Sequence, residues 1–424
     1  MTQPRFIDGS VRLIGDRWSP KLHELKDFLA RSRVPYRWAD VEKKDGSNGR
    51  ESGAQSITVK FPDGSALEDP DIRAVAEKLG LDTEPEARHY DVVIVGGGPA
   101  GLSAAINCAS EGLRVVVVEQ GAAGGQASYS AFIENYPGFP QGLSGGELSK
   151  RTVDQAERFG AEVLVTRRAT GLSMSGDSRI VTIDDGTQLA AHTVLITVGV
   201  SFRWLEAPGC PSLVGAGIYY GAATSEASAC RDQDIYILGG GNSAGQAALL
   251  LARYARRVII VAPDESLEES MSQYLIERID EMKNITVRSH FTVTGAEGKE
   301  HLERLTLEDV HTGATERVPA SSLFIFIGAT PQTDWLGPEL ARDEHGFVLS
   351  GYDYMEDCER PAEWPLERSP YGLETSVPGV FVAGDVRKGS VKRLTAAAGE
   401  GAMAASMIYE YCQQFAGIAW PLRR

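Results

Sequence analysis

Two strand, glycine-loop, helix, strand units at residues 90–119 and 235–261, with a shorter strand, helix, strand run ahead of them, predict an α/β chain. Its 424 residues suffice for two or three domains with cores of their own. The 46 glycines and 42% hydrophobic content suit an α/β nucleotide-binding protein. With 42 Lys+Arg against 58 Asp+Glu the net charge is -16, which argues against nucleic acid or an anionic membrane as the main partner. No apolar run approaches the roughly 18 residues of a membrane span. The opening M-T-Q-P-R-F-I-D-G lacks the apolar stretch of a signal peptide, so a cytoplasmic protein is expected.

From the N-terminus, residues 11–14 read as a strand and 15–20 as a loop. Leu22, Leu25, Phe28 and Leu29 recur at helical spacing. Strands are expected at 34–38 and 57–61, a turn at 62–65 and a helix at 71–79. This order resembles the glutaredoxin and thioredoxin fold over residues 8–82. Trp18-Ser19-Pro20 stands where those families carry cysteines, and Ile57 where they carry a cis-proline. No redox chemistry carries over, and a docking or structural role is expected. The polar run Thr83-Glu84-Pro85-Glu86-Ala87-Arg88 has linker composition and closes a first domain at 1–84.

In the first glycine unit, residues 92–95 form a buried strand that feeds Gly96-Gly97-Gly98-Pro99-Ala100-Gly101. Gly96 permits the tight turn, Gly98 lets backbone approach a pyrophosphate, and Gly101 lets the helix pack on the strand. Helix-start amides then face the anion. Glu119, ending the second strand, is placed to accept from a ribose hydroxyl, so an adenine dinucleotide is expected. Further along lie Gly124-Gly125-Gln126, Glu134-Asn135-Tyr136-Pro137-Gly138, Thr197-Val198-Gly199, and a run from Glu374 to Ala383-Gly384-Asp385. Together these resemble the low-molecular-weight thioredoxin reductases over residues 90–424. The resemblance implies FAD, with Gly96, Gly98, Pro99, Ala100 and Gly101 on the pyrophosphate and Glu119 on the adenosine ribose. It puts Gly125, Gln126 and Asn135 on the isoalloxazine and ribityl side, Asp385 on the ribityl chain, and the backbone amides of Lys392, Arg393 and Leu394 at the pyrimidine ring. Gln120, Ala169, Thr197, Gly199 and Gly384 complete that implied set. The implied FAD-binding domain is 85–207 with 321–424.

A second unit of the same Rossmann-like design has a strand at 235–238, the turn Gly239-Gly240-Gly241-Asn242-Ser243-Ala244, a helix at 246–254 and a strand at 258–261. It lies in an insert expected at 208–320. Gly239, Gly241, Asn242, Ser243 and Ala244 are its candidate contacts to NADH or NADPH. Two departures from the resembled family matter. Where its members carry C-A-T-C-D, this chain reads Ala222-Ala223-Thr224-Ser225-Glu226, without the thiolates needed for exchange. Glu226 is a candidate proton donor beside the flavin. The five cysteines, Cys108, Cys210, Cys230, Cys358 and Cys412, form no CxxC and no metal spacing. After the second strand, Ala262-Pro263-Asp264-Glu265 replaces the basic residues that pair with a 2′-phosphate. Asp264 is either a partner for an NADH ribose hydroxyl or part of a solvated acidic turn.

Three readings follow. The first is an FAD-dependent oxidoreductase without its own dithiol, taking electrons from a nicotinamide, thiol or ferredoxin-type donor and passing them to a redox protein or small acceptor. The second is a flavin-binding sensor or docking module. The third is a thioredoxin reductase using a relocated thiol, Cys210 or Cys230, or an enzyme like the ferredoxin:NADP reductases. No metal is expected, and the resemblance implies a homodimer.

Overall fold

The computed structural model describes residues 10–40, 56–130, 132–221, 226–356 and 364–415. The chain divides into two compact units, one of residues 1–75, 129–132 and 202–328, the other of 76–128, 133–201 and 329–424. The expected segment 222–225 lies outside the described residues, as does Cys358.

In the first unit, β1 (Val11–Gly15), β2 (Tyr36–Asp40), β3 (Thr58–Lys60) and β4 (Ala66–Glu68) form a sheet in the order β2-β1-β3-β4. β1 is parallel to β2 and antiparallel to β3, which pairs antiparallel with β4. Helix α1 (Pro20–Arg31) starts at Ser19, whose hydroxyl accepts from the Leu22 amide, and Pro20 loses nothing at a position whose N–H has no helical partner. It buries Leu22, Leu25, Phe28 and Leu29, while the sheet buries Val11, Leu13 and Val59. Each such aliphatic side chain contributes about 1.5–3 kcal/mol on burial. The strand expected at 34–38 starts two residues later. The Val34 amide is spent on Leu29 O (3.0 Å) and Pro35 has no N–H, so β2 pairing begins at Tyr36.

The same unit holds a five-stranded parallel sheet, Ile218–Tyr220, Ser322–Ile325, Asp234–Leu238, Arg257–Ala262 and Ile285–Ser289 in spatial order. Its inner strands are buried on both faces, so they carry unbroken apolar runs. The helix after the second glycine turn spans Asn242–Leu251, earlier than the expected 246–254, because its first turn grows directly out of the loop at Gly241.

The second unit is built on a seven-stranded sheet. Glu162–Leu164, Val115–Val118, His89–Val95, Gln188–Ile196, Ser178–Ile183 and Ala169–Ser175 follow in order, and Val380–Val382 pairs in parallel with Gln188–Ile196. Alternate side chains of His89–Val95 and Val115–Val118 enter two cores. Val92, Ile94, Val115 and Val117 join Ala104 and Cys108 of helix Pro99–Ser110 with Ala404 and Ile408 of helix Leu394–Phe415. Val93, Val95, Val116 and Val118 join Leu172, Val181 and Ile183. The two helices approach so closely that a Cβ on Gly401 would stand 2.1 Å from Ala100 O.

Candidate functional site

The first glycine loop is fixed by sterics. Gly96 has φ 109°, and a Cβ there would stand 2.4 Å from Thr197 O; one on Gly101 would stand 2.0 Å from Gly96 O. Thr197 Oγ1 lies 2.8 Å from Gly96 O and 3.0 Å from Val95 O, tying the end of Gln188–Ile196 to the turn. Gly98 caps helix Pro99–Ser110, and the turn Gly125–Tyr129 packs beside it. Gly124 N–H donates to Gly97 O (2.7 Å), and a Cβ on Gly125 would be 2.9 Å from Gly98 Cα. Glu119 is buried, accepting from Gly97 N–H (2.8 Å) and Gly121 N–H (2.9 Å); a carboxylate has about four acceptor positions, so two remain. Beside it opens a cavity of about 390 Å³ lined by Gly96, Glu119, Gln120, Arg167 and Ala169 among others. Its size lies in the range of a small-ligand site.

Gln126 donates from Nε2 to Val200 O, Asn135 is exposed, and Gly199 has no neighbour within 4 Å of an added Cβ. Gly384, at φ 78°, donates from its amide to Glu400 Oε2 (2.7 Å). Burial pushes the Asp385 carboxyl up, against the opposing pull of Lys392, and pushes the Lys392 ammonium down. Lys392 Nζ donates to Asp385 O and Ser390 Oγ (2.7 Å), and lies 4.5 Å from the Phe347 ring centre. One expectation is narrowed here. The Arg393 amide donates to Val391 O (2.7 Å), so of the three expected amides that one is already engaged. Leu394 opens helix Leu394–Phe415.

The second loop repeats the design. Gly239 has φ 132°, and its Cβ would meet Phe326 O at 2.3 Å. Gly241 caps helix Asn242–Leu251; Asn242 Oδ1 accepts from Ser272 N–H (2.7 Å), Ser243 is exposed, and Ala244, in place of the third glycine, is fully buried. In the same unit Glu226 is buried, with Oε2 2.7 Å from Lys26 Nζ and Oε1 2.8 Å from His23 Nδ1. Burial favours the neutral acid, yet the bonds to His23 and Lys26 outweigh it and hold the carboxyl below its ordinary range. Glu226, the candidate proton donor, is thus held toward its ionised form as an acceptor bound to α1.

Residues 90–401 match the family described as pyridine nucleotide-disulphide oxidoreductase. The chain belongs to that family. This oxidoreductase is 34% identical over 316 residues to a thioredoxin reductase of Streptomyces clavuligerus, a match covering 74% of the chain and 91% of the relative. It is 31% identical over 323 residues to a thioredoxin reductase of Treponema pallidum, covering 76% and 97%. A solved thioredoxin reductase of Lactococcus lactis superposes with TM-score 0.68 at 28% identity, over 77% of this chain and all of that one. FAD is the family's cofactor, and the residues present fit it: the glycines at 96, 98 and 125 leave bare backbone on both sides of the loop, next to the cavity walled by Glu119 and Gln120.

The oxidoreductase's described cysteines, Cys108, Cys210, Cys230 and Cys412, are buried and in no disulfide. Cys210 and Cys230 are free and buried; burial pushes their thiols up to about 11 and about 12, so little thiolate exists at neutral pH. Two buried cations escaped the sequence reading. Lys26 lies on the apolar face of α1 with Leu22, Leu25 and Leu29, a cation in a buried stripe that signals a buried partner. Arg167 is buried beside the cavity and bonds to Glu84, Asp185 (2.9 Å) and Thr83 O, pinning the linker.

Proposed function

We propose that this oxidoreductase passes electrons through FAD without a dithiol of its own, from a nicotinamide donor to a redox protein or small-molecule acceptor. The observation that carries this reading is the mismatch between an intact flavin-side loop assembly and cysteines that are buried and protonated among the described residues. The sequence offers no CxxC either. Bound FAD would supply hydride and electron transfer. The chain's own part is to hold the pyrophosphate on the Gly98 cap, engage the ribose through Glu119, and present the Asp385 and Lys392 side to the ring system.

In the same reading, residues 1–84 form a cysteine-free glutaredoxin-like domain, 85–207 with 321–424 the FAD domain and 208–320 the nicotinamide domain. The β2-β1-β3-β4 order with parallel β1 and β2 supports the first assignment. Anaerobic titration of the flavin absorbance against NADH, NADPH, dithiols and reduced ferredoxin tests the whole. A nicotinamide should bleach the flavin while disulfide reduction stays absent. Bleaching by a dithiol alone would sink the reading.

The buried Lys26–Glu226–His23 contact favours a second reading, a docking or sensing protein whose N-terminal domain is held against the start of the second nucleotide fold. Surface substitutions on that domain should then abolish partner capture while flavin content and nicotinamide reduction stay unchanged.

A further inference from the structure

The two glycine loops share one design and differ at the end of the strand that follows the helix. In the first copy, strand Val115–Val118 delivers Glu119, whose Cβ and Oε2 stand 3.1 and 3.4 Å from where a Cβ on Gly97 would lie. Val95 pairs with Val118 and Leu238 with Val261, so Ala262 holds the register of Glu119. A methyl group accepts no hydrogen bond. Two residues on, however, the backbone turns and returns a carboxylate to the place. Asp264 Oδ2 stands 3.0 Å from where a Cβ on Gly240 would lie, next to Ala262 Cβ at 3.4 Å and Ser270 Oγ at 3.3 Å. The oxygen thus fills, over the methyl of Ala262, the position that Glu119 fills in the first copy.

The two carboxylates differ in what they already hold. Glu119 takes two backbone amides, whereas the half-buried carboxylate of Asp264 takes no hydrogen bond from any described residue. At the next residue, Gly241, an added Cβ would meet nothing closer than Ser270 O at 4.0 Å. The cation on the next strand, Arg288, which pairs in register with Val261, is bound to Glu316 and stacks 4.0 Å from the centre of the Phe291 ring. No described Lys or Arg forms an ion pair with Asp264, and exposed Glu265, Glu268 and Glu269 follow it.

We propose that Asp264 selects the nicotinamide donor, accepting from the adenosine 2′-hydroxyl of NADH and repelling the 2′-phosphate of NADPH. This rests on the reading of the second glycine loop as the nicotinamide nucleotide site. A carboxylate satisfies a vicinal hydroxyl and opposes a phosphate dianion, and no described arginine pairs with Asp264 to reverse the preference.

Equilibrium calorimetry of the FAD-loaded full chain with NAD+ and with NADP+ tests this without turnover. NAD+ should bind at least about tenfold tighter, since like-charge juxtaposition strongly disfavours the wrong partner. Asp264→Asn should narrow the gap to within about threefold, mainly by strengthening NADP+, as the charge is lost and the shape kept. Glu265→Gln should leave the preference unchanged. Equal affinities in the parent, tighter NADP+ binding, or a gap that survives Asp264→Asn would overturn the assignment to Asp264. Binding of neither nucleotide, with the fold intact by circular dichroism, would instead remove the nicotinamide-site reading itself.

Discussion

Gly125 is the residue at which flavin binding is most exposed to a single methyl group. Its φ of 57° and the 2.9 Å separation of an added Cβ from Gly98 Cα leave no room beside the phosphate loop. Gly125→Ala adds about 1 kcal/mol of left-handed backbone strain and pushes the two loops apart. The expected result is a purified protein with a markedly lower ratio of flavin to protein absorbance; full stoichiometric FAD in that variant would contradict the assignment. Such positions are legible from sequence because their cause is local, a hard-sphere clash written into a glycine pattern. Asp264 was only half legible. Its place two residues beyond the register position depends on how the chain bends after Ala262, which no spacing rule contains.

Among the elements, α1 shows what sequence periodicity cannot supply. The apolar stripe Leu22, Leu25, Phe28 and Leu29 announces a buried helix face, and the helix forms there. The partner of Lys26, however, is 200 residues away, and nothing in either neighbourhood names the other. Breaking a buried ion pair from one side costs up to about 3–5 kcal/mol, the loss here being eased by His23, which stays 2.8 Å from Glu226, whereas replacing both partners by apolar groups of similar size is close to neutral. Lys26→Met should therefore lower the denaturant midpoint far more than Lys26→Met combined with Glu226→Leu. Equal losses in the two variants would mean that the stranded charge is not what Lys26→Met costs.

The same element sets a pH dependence. The folded Glu226 carboxyl titrates below its ordinary value of 4.5, so its contribution is full above that value and disappears as pH falls through the lower, folded one. Stability measured by circular dichroism should drop more steeply in the parent than in Glu226→Gln over that acid range. Parallel curves would refute the linkage.

For the whole molecule, the sequence is threaded so that each compact unit is assembled from separated stretches, one from 1–75, 129–132 and 202–328 and the other from 76–128, 133–201 and 329–424. The duplicated glycine loops were legible because each is a continuous run of residues. The unit boundaries depend instead on contacts between distant segments: the sequence places a break at 84, while the first stretch of the compact unit containing β1 to β4 runs to 75 and the unit resumes at 129–132 and 202–328. No helix among the described residues is long and apolar enough to cross a membrane. The described thiols add a prediction at this scale: serine at both Cys210 and Cys230 should leave the rate of flavin-mediated electron transfer unchanged, since burial pushes both thiols up and disfavours the thiolate. A large loss with the fold preserved would return a thiol to the pathway.

Helix Leu394–Phe415 closes over helix Pro99–Ser110 with Gly401 against Ala100, so the oldest-synthesised half of the flavin loop leans on almost the youngest. During translation the Gly96 turn leaves the ribosome some three hundred residues before the helix that braces it, at about 5–20 residues per second. Until then that side of the loop lacks its packing partner. Nascent chains stalled short of residue 394 should emerge colourless, and cofactor uptake becomes an event that follows chain release.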